Sequence, residues 1–127
     1  AALSAIAGIS LLVAGIGIMN VMLISVAERT PEIGLMKAVG ASSAQVLALF
    51  VAEAALLATG GGAIGVAIGV AAVQTVGALA PSFPAATPAW AIEAALGVAL
   101  GTGLVFGALP ALKAARMQPV AALRARG

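Results

Sequence analysis

The residues able to do chemistry are few: six Lys or Arg and four Glu among 127, with no histidine and no cysteine. Thiolate metal sites and disulfides are therefore excluded, and so is the usual proton shuttle. The acids are Glu28, Glu32, Glu53 and Glu93. Two fall in one short charged stretch and the others sit far apart, so no paired carboxylates are set up for general acid–base work. No Ser-His-Asp set, HExxH or phosphate-binding loop occurs. What remains is a compact charged segment, Glu28-Arg29-Thr30-Pro31-Glu32-Ile33-Gly34-Leu35-Met36-Lys37-Ala38-Val39-Gly40, set between two apolar runs. Charge in that setting suits docking of a partner, and ordinary solvated loop charge is the plainer reading of Glu28, Arg29 and Glu32.

Local signals in this segment describe a helix of about two turns. Thr30 is placed to cap it and Pro31 suits the first helical position. Glu32 in the first turn and Lys37 near the end both favour the helix dipole. Gly40 closes the helix in a left-handed conformation, and Ser42 with Gln45 forms a capping box that starts another helix at once. Ile33, Met36 and Val39 recur at i, i+3 and i+6 and would offer a partner an apolar strip.

The elements that hold this segment are membrane spans. The chain is 63% hydrophobic and 8% charged, where a soluble domain carries about 25% charged residues. It reads as an all-α integral membrane module of three transmembrane helices with a short cytoplasmic helix between the first two. The spans are placed at about 4–26, 45–76 and 89–109, the cytoplasmic loop at 28–43 and the external loop at 80–89. The first run lacks a basic leader and is too long for a secretory signal. A chain that begins inside an apolar run reads as the end piece of something larger. The second span exceeds what a bilayer requires, so tilt or a projecting end is expected. Pro110 marks the end of the third span or a kink in it, and Pro119 starts a last short helical turn.

Polar and small residues inside the spans have two readings each. Asn20 makes an interhelical hydrogen bond or lines a transport path. Glu53, about two turns into the second helix, is a snorkelling or hydrogen-bonded structural carboxylate, or part of a coupling between loop and helices; no second acid or base in the sequence pattern pairs with it. Gly61, Gly65 and Gly69 share one face, and Gly97 and Gly101 begin another with Gly103 and Gly107. These faces are expected to pack the second helix against the third. Trp90 lies where an aromatic belt would, with Glu93 just inside.

All six basic residues lie in the first loop (Arg29, Lys37) or the tail (Lys113, Arg116, Arg124, Arg126), and the second loop has none. The positive-inside rule then puts loop and tail in the cytoplasm and the amino terminus outside. The small net charge of +2, confined to these two places, gives no footprint for nucleic acid.

The residues Glu28-Arg29, Glu32-Ile33-Gly34 and Ala38-Val39-Gly40-Ala41 resemble the E-R-x-x-E-I-G…A-x-G-A signature of the MacB/FtsX-type ABC transporter permeases, in their carboxy-terminal module. Glu53-Ala54 before Gly61-Gly62, then Pro110-Ala111, Pro119-Val120 and Ala122-Leu123-Arg124, resemble later parts of the same pattern in the same order. The resemblance implies a dimeric permease in a bacterial inner membrane, with one further span and a large external domain. It implies that ATP is bound by a partner ATPase and that this chain carries no cofactor, catalytic site or metal of its own. The segment from Glu28 to Gly40, with Ile33, Gly34, Met36 and Lys37, would be the element coupled to that ATPase. Its motion would drive export or extraction of a substrate. The alternative is a non-transporting scaffold that activates an external cell-wall hydrolase.

Overall fold

A computed structural model describes residues 1–118 of the chain. It contains four helices: α1 (Ala2–Glu28), α2 (Thr30–Ala38), α3 (Ser43–Leu79) and α4 (Ala89–Ala115). α1, α3 and α4 are long and apolar enough to cross a membrane, and α2 is not. Among the described residues the protein is all-helical, as its composition requires. Lipid offers no partner for unpaired backbone groups, so a spanning chain must satisfy them within each helix.

The junctions follow from local chemistry. α1 and α2 are separated by Arg29 alone, at φ −98 and ψ 12. The backbone barely leaves the helical region there, and the amides of Arg29 and Ile33 still reach the carbonyls of Ser25 and Arg29. Thr30 is therefore already helical. It does not cap α2; its hydroxyl donates to the Val26 carbonyl at 3.0 Å, as a mid-helix threonine does. At the other end Gly40 has φ +109. The Ala41 amide donates to Met36 and the Gly40 amide to Lys37, the paired bonds of a Schellman turn. A residue with a Cβ would be strained at this φ, which accounts for the glycine. Ser42 and Gln45 then make the reciprocal capping box expected of them, at 3.2 and 2.9 Å.

α4 runs through Pro110 without ending and continues to Ala115, so the helix extends past the expected limit at 109. The lost amide of Pro110 is offset by burial: Pro110, Ala111, Ala114 and Ala115 are all buried. Among the described residues the apolar core lies at this end of the molecule, where Met22 and Val26 of α1, Ile33 of α2, Val46, Phe50 and Ala54 of α3, and Ala111 and Ala114 of α4 meet.

Glycines allow the spans to approach, at Gly103 and Gly107 of the expected α4 face but not at the other glycines of the two expected faces. A Cβ at Gly103 would overlap Ala58 of α3, one at Gly107 would overlap Ala54, and one at Gly62 would fall 2.8 Å from the Ala99 Cβ. On α1, a Cβ at Gly15 would collide with the Phe106 ring of α4. Gly61, Gly65, Gly69, Gly97 and Gly101 would gain a Cβ in open space. The α3–α4 contact is thus glycine against alanine, with one small residue on each side, and these five glycines do not form it. α1 leans on α4 more than on α3, which leaves a cleft of about 360 Å³ lined by Leu11, Ala14, Leu57, Gly61, Ala99 and Thr102 among others. Asn20 is exposed on α1, so the interhelical bond expected of it is not made among the described residues. The expected turn at Pro119, Arg124 and Arg126 lie outside them.

Candidate functional site

α2 and the helix ends around it hold most of the chain's charge. α2 has nine residues, about 13 Å of helix, and it does not project as a free loop. Its first flank, Arg29, reaches Glu53 on α3, and Lys37 near its end reaches Ser43 at the start of α3. The short helix therefore lies back along the opening turns of α3, antiparallel to them. This also explains the length of α3. Its 37 residues make about 55 Å of helix, against about 30 Å of hydrocarbon, and the surplus turns are where α2 rests.

Arg29 is held by three groups. Its Nη1 donates to Glu53, its Nε donates to Glu32 Oε2 at 3.2 Å, and the guanidinium lies 5.2 Å from the centre of the buried Phe50 ring. A delocalised, weakly hydrated cation suits such a half-buried place better than an ammonium. The hydrogen bond to Glu53, opposed by burial and aided by Glu32, pushes the guanidinium further above its already high range. Glu53 is thus a paired carboxylate. The expectation that no base meets it is corrected, because its partner is 24 residues away in sequence and is brought beside it only by the fold-back of α2.

Lys37 is turned inward as well. Its Nζ donates to the Ala115 carbonyl, to the Met117 carbonyl at 2.6 Å and to Ser43 Oγ at 3.3 Å. Carbonyls in the last turn of a helix have no intrahelical partner and form the negative end of its dipole. The lysine that looks like a complement to its own helix is spent on the end of α4.

The two faces of α2 are the reverse of the expected arrangement. Ile33 is fully buried in the core, Gly34 is buried, and Met36 packs half-buried against the same cluster. Ile33 and Gly34 are thus turned into the protein and Met36 partly so, while Val39 of the expected strip faces outward. The exposed face consists of Glu32, with a side chain 67% exposed, Leu35 at 60% and Val39 at 78%. These recur at i, i+3 and i+7, on one side of a helix, and exposed Glu28 precedes them by four residues. Leu35 was the residue that sequence reasoning passed over. The signal for it was available, since 28, 32, 35 and 39 keep helical spacing through the proline.

No group of histidine, cysteine or carboxylate side chains among the described residues could hold a metal ion, and the clefts between the spans are apolar. Lys113 and Arg116 are exposed at the α4 end beside α2. Four of the six basic residues therefore share one end of the molecule, while Trp90 and Glu93 belong to the first turns of α4 at the other.

Comparison with known proteins agrees with this layout. The FtsX-like permease C-terminal family matches residues 4–119. The macrolide export ATP-binding/permease protein MacB of Marinobacter nauticus is 50% identical over 121 residues, which is 95% of this chain and 18% of that protein. The pyoverdine export ATP-binding/permease protein PvdT of Pseudomonas aeruginosa is 49% identical over 95% of the chain and 18% of its own length. An uncharacterized ABC transporter permease of Bacillus subtilis, YknZ, is 43% identical over 96% of the chain and 30% of its length. The chain spans less than a third of each of these relatives. With its charged short helix, its three spans and a match over nearly its whole length, the chain belongs to the FtsX-like permease C-terminal family.

Proposed function

We propose that this chain is the carboxy-terminal permease part of a MacB-type ABC exporter in a bacterial inner membrane, and that α2 is the element on which its ATPase docks. The observation that carries this reading is the division of α2 into two faces. One face is locked to the spans by Ile33, Arg29 and Lys37, and the other offers Glu32, Leu35 and Val39 to solvent. A helix so held can receive a push and pass it to the membrane without yielding. An acidic end beside an apolar end suits a partner cleft with a cation at its rim and an apolar floor.

In this reading ATP is bound and hydrolysed by the ATPase, as a separate subunit or a fused domain, and this part supplies no catalytic or nucleotide site and no cofactor. The names of MacB and PvdT, which specify export, support an exporter over a scaffold that regulates an external hydrolase. The clustering of basic residues supports a cytoplasmic α2 and carboxy terminus with an external amino terminus. The open faces at Gly61, Gly65, Gly69, Gly97 and Gly101 suit a second permease copy or the remaining span, which would join an external domain to this module.

A photo-crosslinker at Val39→Cys, in an otherwise cysteine-free full-length transporter, tests the reading in native membranes. The expected result is labelling from the cytoplasmic side and an adduct to the nucleotide-binding domain whose yield changes with ATP. Cytoplasmic labelling with no such adduct would remove the docking role. Labelling only from outside would invert the topology.

A further inference from the structure

We infer that Arg29 and Lys37 are positioning residues that clamp α2 to two different spans, so that movement of the short helix is delivered to α3 and α4 together. This rests on the reading of α2 as the receiver of the ATPase's motion, and goes beyond it by saying which spans respond and through which atoms.

Both cations sit where a docking role would be assigned to them from sequence, and both are already turned to groups of this chain. An ammonium has three donors, and those of Lys37 are all engaged, by the Ala115 and Met117 carbonyls and by Ser43 Oγ. Arg29 is engaged by Glu53, Glu32 and the face of Phe50. The two clamps lie at opposite ends of α2; both touch α3, and Lys37 alone also reaches the end of α4. Arg29 holds the start of α2 to α3, and Lys37 holds its end to the terminus of α4. Between them Ile33 packs in the shared core, but apolar contact is non-directional and allows a helix to slide. Hydrogen bonds to fixed carbonyls do not. Lys37 in particular sets the axial position of α2 against α4, and because its main partners are backbone carbonyls, a side-chain change at Ala115 or Met117 leaves them in place.

A simple helix cap would steady the last turn of α4 and do nothing more. The clamp reading requires that the distance between α2 and α4 depend on Lys37. The test uses the full-length transporter in nanodiscs, with spin labels at Val39→Cys and Leu112→Cys, both on exposed positions, diluted with unlabelled protein. With Lys37 present the α2–α4 distance is expected to be single and narrow, with Lys37→Met broad, and with Lys37→Arg narrow again. A second readout is the change in maleimide labelling at Leu112→Cys on adding ATP and vanadate. In Lys37→Met it is expected to fall about tenfold, the scale of one lost charge-assisted hydrogen-bond set, while crosslinking of the ATPase from Val39→Cys persists. A distance that stays narrow in Lys37→Met, or an undiminished ATP response, overturns the clamp. Loss of the Val39 crosslink in the protein with Lys37 intact would overturn the docking reading instead, and the distance measurement would still report on the clamp.

Discussion

Gly103→Val should drive α3 and α4 apart, whereas Gly65→Val should leave them packed. At Gly103 a Cβ would overlap Ala58 and stand 3.3 Å from the Ala54 carbonyl oxygen and 3.5 Å from the Ala58 Cα. Two of those three atoms are backbone, so no rotamer change relieves the clash, and the helices must separate. In lipid the loss is sharper than it looks, because close packing rather than hydrophobic burial holds the spans together. The expected cost is about 3 kcal/mol, the upper part of the range for overpacking a tight site, seen as a lower thermal midpoint and reduced accumulation of the full-length transporter. At Gly65 the added atoms meet open space within the chain, and the change should stay within about 0.5 kcal/mol. Gly65 follows Ala58 by about two turns on the same face of α3 and lines an open cleft with Ala91, Ile92 and Ala95 of α4, so an equal loss at Gly65 would mark that cleft as filled by another span.

This contrast also shows where the sequence was legible. The spans were, because a bilayer demands long uncharged helices and the chain has no other use for such runs. The turn from α2 into α3 was legible too, since Gly40, Ser42 and Gln45 act on their own neighbours and need no tertiary knowledge. Packing faces were legible only in part. Gly61, Gly65 and Gly69 have the right spacing, but spacing states only that a face is smooth, not what lies against it. Gly103 and Gly107 were present in the same pattern and are the ones that α3 meets. Which of the two readings of Pro110 holds was not legible, for a related reason. Pro110 disfavours a helix locally, and the burial of Ala111, Ala114 and Ala115 that carries the helix onward is a property of the assembled core.

The charged stretch was found at once and its orientation was reversed. In a nine-residue helix both 33/36 and 35/39 are apolar pairs at helical spacing, so periodicity cannot choose between them. The convention that charge faces water made Arg29 and Lys37 look like outward residues. Both turn inward because the fold supplies what the sequence cannot display: Glu53, 24 residues from Arg29, and the spare carbonyls at the end of α4 for Lys37. With the cations facing the spans, Ile33 must follow them and Leu35 must face away.

Ile33→Asp and Leu35→Asp should therefore fail in different ways, although they sit two residues apart. Ile33 is fully buried among Met22, Val26, Phe50 and Ala111. Removing its side chain alone should cost about 2–5 kcal/mol, and the carboxylate adds the penalty of an acid in an apolar core, relieved only by protonation. That exceeds what a marginally stable protein can absorb, so Ile33→Asp should not accumulate. Leu35 is 60% exposed and touches little of its own chain. Leu35→Asp should insert and accumulate normally, yet place a charge where the ATPase would rest an apolar floor. Loss of a central apolar anchor of this kind weakens binding by about 30-fold or more, so capture of the ATPase and its stimulated turnover should drop accordingly. Membrane level by immunoblot and ATPase turnover, measured on both variants together, separate the two effects. Wild-type turnover in Leu35→Asp would exclude this face of α2 from docking. Normal accumulation of Ile33→Asp with loss of turnover would mean that α2 sits with its other face toward the spans, and that Arg29 and Lys37 meet the ATPase after all.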